Sequence, residues 1–191
     1  MTGLFFGSFN PIHLGHTALA NYLLEHTALD EIWMVVSPHN PLKKELDLLD
    51  DELRLHMVQL ALSDEPKLKA CDVEFSLSKP NYTLYTLQHL SETYPDKQFV
   101  LIIGADNLAV FHQWKAYQEL LNNYHIMVYP RQGVDLNPLH QLYPQVEIVD
   151  APLFTVSSTQ IRRLLAQKET VEKYLHPLVK SFIQEKNLYS D

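Results

Sequence analysis

Residues 4–29 read LFFGSFNPIHLGHTALANYLLEHTAL, and this stretch decides the fold. Leu4 to Gly7 is short, apolar and aromatic, which suits a buried strand. Asn10 and Pro11 then turn the chain. Beyond them Leu19, Tyr22, Leu23 and His26 recur at helical spacing, so a strand leads through a tight turn into a helix.

Strands and helices then alternate along nearly the whole chain, with no internal repeat. EIWMVVS (31–37) reads as a strand, and a proline-bracketed loop follows it. DDELRLHMVQLALSD (50–64) is an amphipathic helix with acids in its first turn, where they complement the helix dipole. LKACDVEF (68–75) reads as a third strand and TLYTLQHLSETY (83–94) as a helix. QFVLIIGAD (98–106) is an unbroken apolar run, the mark of a strand covered on both faces. LAVFHQWKAYQELL (108–121) is helical, in one piece or two. YHIMVYP (124–130) is a strand, VEIVDA (146–151) a weaker one, and the chain from Ser157 is helical with a break near Pro177. This alternation predicts an α/β protein with an open, mostly parallel sheet and helices on both faces. The expected organisation is a single domain over 1–191, with a C-terminal helical segment from about residue 157.

Composition narrows the partners. The chain has 191 residues, 46% of them hydrophobic, and a net charge of -8. A sequence-independent grip on nucleic acid needs a dense basic surface, which this balance disfavours. A small anionic ligand needs only a few placed cations and N–H groups. Cys71 is the only cysteine, so no intramolecular disulfide and no thiolate-rich zinc site can form. No stretch approaches the roughly 20 apolar residues that span a bilayer. The N-terminus shows no leader pattern, so the expected location is cytoplasmic.

In an open α/β sheet, ligands bind beyond the C-terminal ends of the strands. That rule selects 7–16, 37–44, 104–106 and 130–133. The first of these, GSFNPIHLGH, holds two of the chain's five glycines. Gly7 lets backbone approach a ligand, Ser8 adds a hydroxyl, and Pro11 stiffens the turn. Free N–H groups at the start of the following helix attract anions. His13 and His16, three apart, share one face of its first turn. Two plainer roles compete: a helix cap or surface histidine, and a metal site, which has no nearby carboxylate to complete it.

A second anchor lies at 156–165, VSSTQIRRLL. Ser157 and Gln160 form a capping box. Yet Arg162 and Arg163 then stand close to the positive end of a helix, where a cation is unfavourable. A bound anion removes the conflict. Ser158, Thr159, the helix N–H groups and Arg162 together suit phosphate.

G-x-F-x-P-x-H-x-G-H after an opening strand resembles the signature of the nucleotidyltransferase superfamily, and S-S-T-x-I-R resembles its second signature. EIWMVVSPHNPLKK, RLHMVQLAL, NYTLYTLQHL, LIIGADNLAVFHQWKAY, YPRQG and VEKYLHPLVKSFIQEKNLY fall in the order seen in bacterial nicotinate mononucleotide adenylyltransferases. The resemblance covers almost the whole chain. It implies a Rossmann-like nucleotidyltransferase fold and transfer of AMP from ATP to nicotinate mononucleotide, with Mg²⁺ accompanying the ATP.

It also implies roles. Gly7, Ser8 and Phe9 shape the loop that admits the α-phosphate. His13 and His16 donate hydrogen bonds to the triphosphate. Arg162, with Ser158 and Thr159, holds the β- and γ-phosphates, and either Lys43 or Lys44 closes over them. Gly104 and Asp106 end the fourth strand, where the carboxylate accepts from a ribose hydroxyl or caps the next helix. Trp114 offers a platform for the nicotinate ring, with Lys115 beside it. Thr83 and Thr86 present N–H groups to the pyridine carboxylate or cap their helix.

Three departures stand out. Phe6 occupies a position that is usually glycine, Asn10 one that is usually aspartate, and Pro41-Leu42-Lys43-Lys44 replaces Pro-His-Lys. Rival functions are an adenylyltransferase for nicotinamide mononucleotide or phosphopantetheine, a non-catalytic nucleotide sensor on the same fold, and a metal-dependent hydrolase. Oligomeric state leaves no mark in the sequence.

Overall fold

The computed structural model describes residues 1–38 and 48–190. Its strands are β1 (Thr2–Gly7), β2 (Glu31–Val36), β3 (Leu68–Cys71), β4 (Phe99–Gly104), β5 (His125–Tyr129) and β6 (Glu147–Ile148). The helices are α1 (Leu14–His26), α2 (Asp51–Ala61), α3 (Val73–Ser76), α4 (Thr83–Thr93), α5 (Ala105–Ala109), α6 (Tyr117–Asn123), α7 (Leu136–Leu142), α8 (Ser158–Ala166) and α9 (Pro177–Glu185). Among the described residues no helix is long and apolar enough to cross a membrane.

All six strands run parallel, in the order β3-β2-β1-β4-β5-β6. Side chains alternate across the pleat, so each strand feeds two cores. Phe5, Met34 and Ile102 join the core beneath α1, α2, α8 and α9. Leu4, Val35 and Leu101 join the one beneath α4, α5 and α6. The strand order reverses at the β1–β4 pair, and a crevice opens beyond their C-terminal ends. The loop after β1 and the start of α5 flank it.

Local chemistry moved some boundaries. LKACDVEF is a strand only to Cys71; Val73–Ser76 form a helical turn instead. Glu74 and Asn81 explain the turn, because Asn81 donates to the Glu74 carbonyl at 2.8 Å. The segment 108–121 breaks into the end of α5, a 3₁₀ turn at Phe111–Gln113, and α6. Ala116, with φ 51°, makes the last break. The helix at Leu136–Leu142 was not anticipated; Asp135 caps it by accepting from the Asn137 N–H. Near Pro177 the expected break is the start of α9, with proline in its first turn.

Candidate active site

Two cavities meet at the C-terminal end of β1. One, of about 230 Å³, is lined by His13, His16, Arg131, Ser158, Thr159 and Arg162. The other, of about 330 Å³, is lined by Glu74, Asn81, Thr83, Gly104, Trp114 and Lys115. Phe5, Phe6, Gly7, Ser8, Asn107 and Tyr129 line both. The first loop is therefore the partition between them.

On the histidine side, the loop is held from below. Phe9 adopts φ 46° and buries its ring, leaving 1% of the residue exposed. A left-handed conformation is unusual for a bulky side chain, and packing compensates for it. The ring meets His16 edge-on at 5.1 Å and Phe5 at 6.1 Å. His13 is the N-cap residue of α1, and its ring stacks on His16 at 3.7 Å. The His13 N–H donates to His16 Nδ1 at 3.2 Å. Burial, reinforced by the nearby Arg131 guanidinium, lowers the His13 imidazole to about 4, so it is neutral at pH 7. Its Nδ1 is buried with no hydrogen-bond partner.

Opposite ends of the chain close this cavity. Arg162 donates to the Asn10 carbonyl at 2.8 Å, and Ser158 Oγ donates to the Pro11 carbonyl at 2.8 Å. Gly15 makes the approach possible: a Cβ there would lie 2.5 Å from Val156 Cγ1. Ser157 caps α8 by accepting from the Gln160 N–H at 3.2 Å, one half of the expected capping box. Thr159 shares the cavity wall and receives an Arg162 N–H at 3.5 Å.

Asp106 is half-exposed in the first turn of α5 and pairs with Arg131 Nε at 3.4 Å. It is not the helix cap; that position belongs to Gly104. A Cβ on Gly104 would lie 2.4 Å from Asp106 Oδ1, so a side chain there would displace the carboxylate. Lys43 and Lys44 lie outside the described residues.

On the tryptophan side, Trp114 is half-buried against Phe111, with ring centroids 5.1 Å apart. Its indole N–H is buried without a partner. Thr83 opens α4 at the cavity wall, and Tyr82 caps the helix without a side-chain bond. Tyr82's carbonyl accepts the N–H groups of Tyr85 and Thr86. That corrects the expectation for Thr86. Its N–H is spent within the helix, it is 0% exposed, and its hydroxyl donates to Glu74 at 2.8 Å. Thr86 supports the wall, and Thr83 faces the space. Glu74 is buried, and desolvation raises its carboxyl above the usual range, partly offset by bonds from Thr86 and Ser37.

Four residues at this site had no role assigned from sequence. Arg54 is 0% exposed; it donates to the carbonyls of Leu49 and Ser37 at 2.9 Å, to the Ser8 carbonyl, and to Asp51. A helical arginine at a spacing that also fits a surface face gives no sign of this clamp. Arg131 lies in the loop after β5, which the strand-end rule had selected. Tyr129 precedes it, and burial pushes its phenol up to about 12, keeping it protonated. Asn81, 7% exposed, leaves its side-chain oxygen without a partner at the tryptophan cavity.

Residues 4–164 match the cytidylyltransferase-like family. The chain is 47% identical over 98% of its length to a probable nicotinate-nucleotide adenylyltransferase of Flavobacterium psychrophilum, covering 97% of that protein. It is 49% identical over 96% of its length to a probable nicotinate-nucleotide adenylyltransferase of Bacteroides fragilis, covering 92% of it. Among solved structures, the Plasmodium falciparum nicotinic acid mononucleotide adenylyltransferase complexed with NaAD superposes with a TM-score of 0.84 at 22% identity, over 98% of this chain and 96% of that one. At that identity the likeness establishes the shared fold.

Proposed function

The chain belongs to the cytidylyltransferase-like family and, within it, to the nicotinate-nucleotide adenylyltransferases; from that premise we propose that it transfers AMP from ATP to nicotinate mononucleotide, giving nicotinate adenine dinucleotide and pyrophosphate, a step of NAD synthesis. The observation that carries this reading is the pair of cavities sharing Gly7 and Ser8 as a common wall. A reaction that joins two nucleotides needs two adjoining sites with the reacting phosphorus between them.

The chemistry follows from charge. The nucleophile is a phosphate oxygen of the mononucleotide, already anionic at neutral pH, so no general base is needed. It attacks the α-phosphorus of ATP, and the bond to the bridging oxygen breaks as pyrophosphate leaves. The protein must position two polyanions and stabilise charge on the departing group. The histidine cavity supplies two imidazoles with Arg131 and Arg162, in a chain whose net charge is -8. His16 Nδ1 accepts from the His13 backbone, which leaves its proton on Nε2 to donate to a phosphate oxygen. Arg162 and Thr159 hold the outer phosphates, and Gly7 and Ser8 let the α-phosphate approach backbone.

Among the described residues no three His, Cys, Asp or Glu side chains are grouped to hold a metal ion. Mg²⁺ would accordingly enter with ATP, beside Arg131 and Arg162, and would supply further charge neutralisation to the departing pyrophosphate. Trp114 stacks on the pyridine ring, and the first turn of α4 at Thr83 meets the carboxylate, where free N–H groups favour an anion. Lys115, on the same wall, adds a cation for the acceptor. The whole chain acts as one nucleotidyltransferase unit in the cytoplasm, where both substrates are small and soluble.

The test is pyrophosphate release from MgATP with nicotinate mononucleotide, nicotinamide mononucleotide or phosphopantetheine as acceptor. Turnover should be highest by far with the nicotinate compound. Silence with all three overturns the assignment, and a preference for the amide moves it to that acceptor.

A further inference from the structure

The C-terminal tail returns to the first loop. Tyr189 Oη donates to Asn10 Oδ1 at 2.8 Å, across 179 positions of sequence. The same oxygen faces the Leu49 N–H at 3.4 Å, and the Asn10 backbone carbonyl accepts from Arg162. Asn10 is 1% exposed, so its end of each of these bonds is shielded from water. The C-terminal cap of α9 begins the return: Asn187 is left-handed, and the Leu188 N–H donates to the Ile183 carbonyl at 3.0 Å. The helix ends at Glu185, and Asn187 and Tyr189 then take φ 49° and 61° to carry the chain on. Beyond that cap, left-handed Tyr189 places its phenol beside Asn10.

We propose that Tyr189 is a positioning residue for the phosphate site, strapping Asn10 so that its carbonyl holds Arg162 toward the triphosphate. The proposal rests on the adenylyltransferase reading and extends it to a part of the chain that touches neither substrate. The phenol is partly buried, and its desolvation raises its ionisation above the usual value, with the Arg162 and Arg54 guanidiniums nearby opposing the rise only in part. It therefore remains a hydrogen-bond donor throughout the working pH range. Asn10, where the family usually has aspartate, accepts this bond without adding a negative charge beside incoming phosphates.

Tyr189→Phe removes one hydroxyl and keeps the ring that packs against the core. We expect it to weaken MgATP binding, measured by calorimetry on the full chain, about fivefold, the effect of one buried hydrogen bond. KM for nicotinate mononucleotide should stay within about twofold, because its cavity lies across the partition. Asn10→Ala should weaken MgATP to a similar degree, and the double variant should be no weaker than either single one. A lowered melting temperature with unchanged MgATP affinity overturns the strap and leaves a purely structural tail. Additive losses in the double variant, or equal effects on both substrates, overturn it too. Wild-type protein that binds MgATP but turns over no acceptor would refute the functional assignment while leaving the strap standing. Wild-type protein that does not bind MgATP refutes both.

Discussion

The imidazoles of His13 and His16 lie stacked, with centroids 3.7 Å apart and 21° between their planes. Such a pair cannot readily carry two positive charges. Burial keeps the His13 ring neutral, and the His13 N–H fixes the His16 tautomer. The His16 ring then has a defined acceptor edge, with its proton on Nε2, before a ligand arrives. Preorganised donors of this kind are worth more than flexible ones, because nothing must reorient as charge develops.

Removing His16 should accordingly depress turnover more than binding. His16→Ala is expected to lower kcat about 10²–10³-fold, with a smaller change in KM for MgATP. Steady-state pyrophosphate release at saturating acceptor measures both. Near-normal kcat would show that charge stabilisation comes from elsewhere in the cavity.

His13 also links the site to stability. Its imidazole falls from 6.5 to about 4 on folding, so the unfolded chain binds more protons between those values. Stability is then fully present above about pH 6.5 and is lost as pH falls toward 4. The size is up to about 3 kcal/mol, since the residue is only 7% exposed. Urea denaturation of wild type and His13→Asn at pH 4.5 and 7.5 should show the difference. The variant should lose less stability on acidification. Parallel losses would place the acid sensitivity in other groups.

Arg54 joins three segments through carbonyls of Ser8, Ser37 and Leu49. Arg54→Met fills the space but leaves those oxygens and Asp51 without their donor. We expect a loss of about 3–5 kcal/mol in urea denaturation, the range for breaking one side of a buried charged network. Arg54→Lys should recover only part of it, because an ammonium cannot reach several carbonyls in the guanidinium's fork. A loss below about 1 kcal/mol would show that the loop holds its shape unaided.

What could be read in advance follows from what is local. Strand and helix periods are properties of short stretches, so the sheet and its parallel sense were legible, and the strand-end rule pointed to the loops that line the two cavities. Ser157 and Gln160 announced a helix start because a capping signature lies within four residues, and Ser157 is the N-cap of α8. Arg54 and Glu74 were not legible. Both are charged residues in helices, and only the tertiary fold shows that carbonyls and hydroxyls from other elements surround them. Thr86 misled for a related reason. Spacing put it near a helix start, but the side chain that receives its hydroxyl belongs to the preceding helical turn. Asp135 caps α7, but no residue of that helix is buried, so the apolar pattern was too weak to show it.

Trp114 is the residue whose substitution best separates the two cavities. Its ring lines the tryptophan cavity and does not reach the histidine one. A ring of this kind either packs the core or receives a ligand's ring, and partial exposure at a cavity wall with an unpartnered indole N–H favours the second. Loss of one stacked aromatic typically costs about 1–3 kcal/mol. Trp114→Ala should thus raise KM for nicotinate mononucleotide roughly 10–100-fold, and leave KM for MgATP within about twofold. Trp114→Phe keeps a stacking face and should recover most of the loss. Both constants come from one matrix of initial rates with the two substrates varied. If MgATP weakens as much as the acceptor, the tryptophan is a support of the shared partition, and the acceptor ring lies elsewhere.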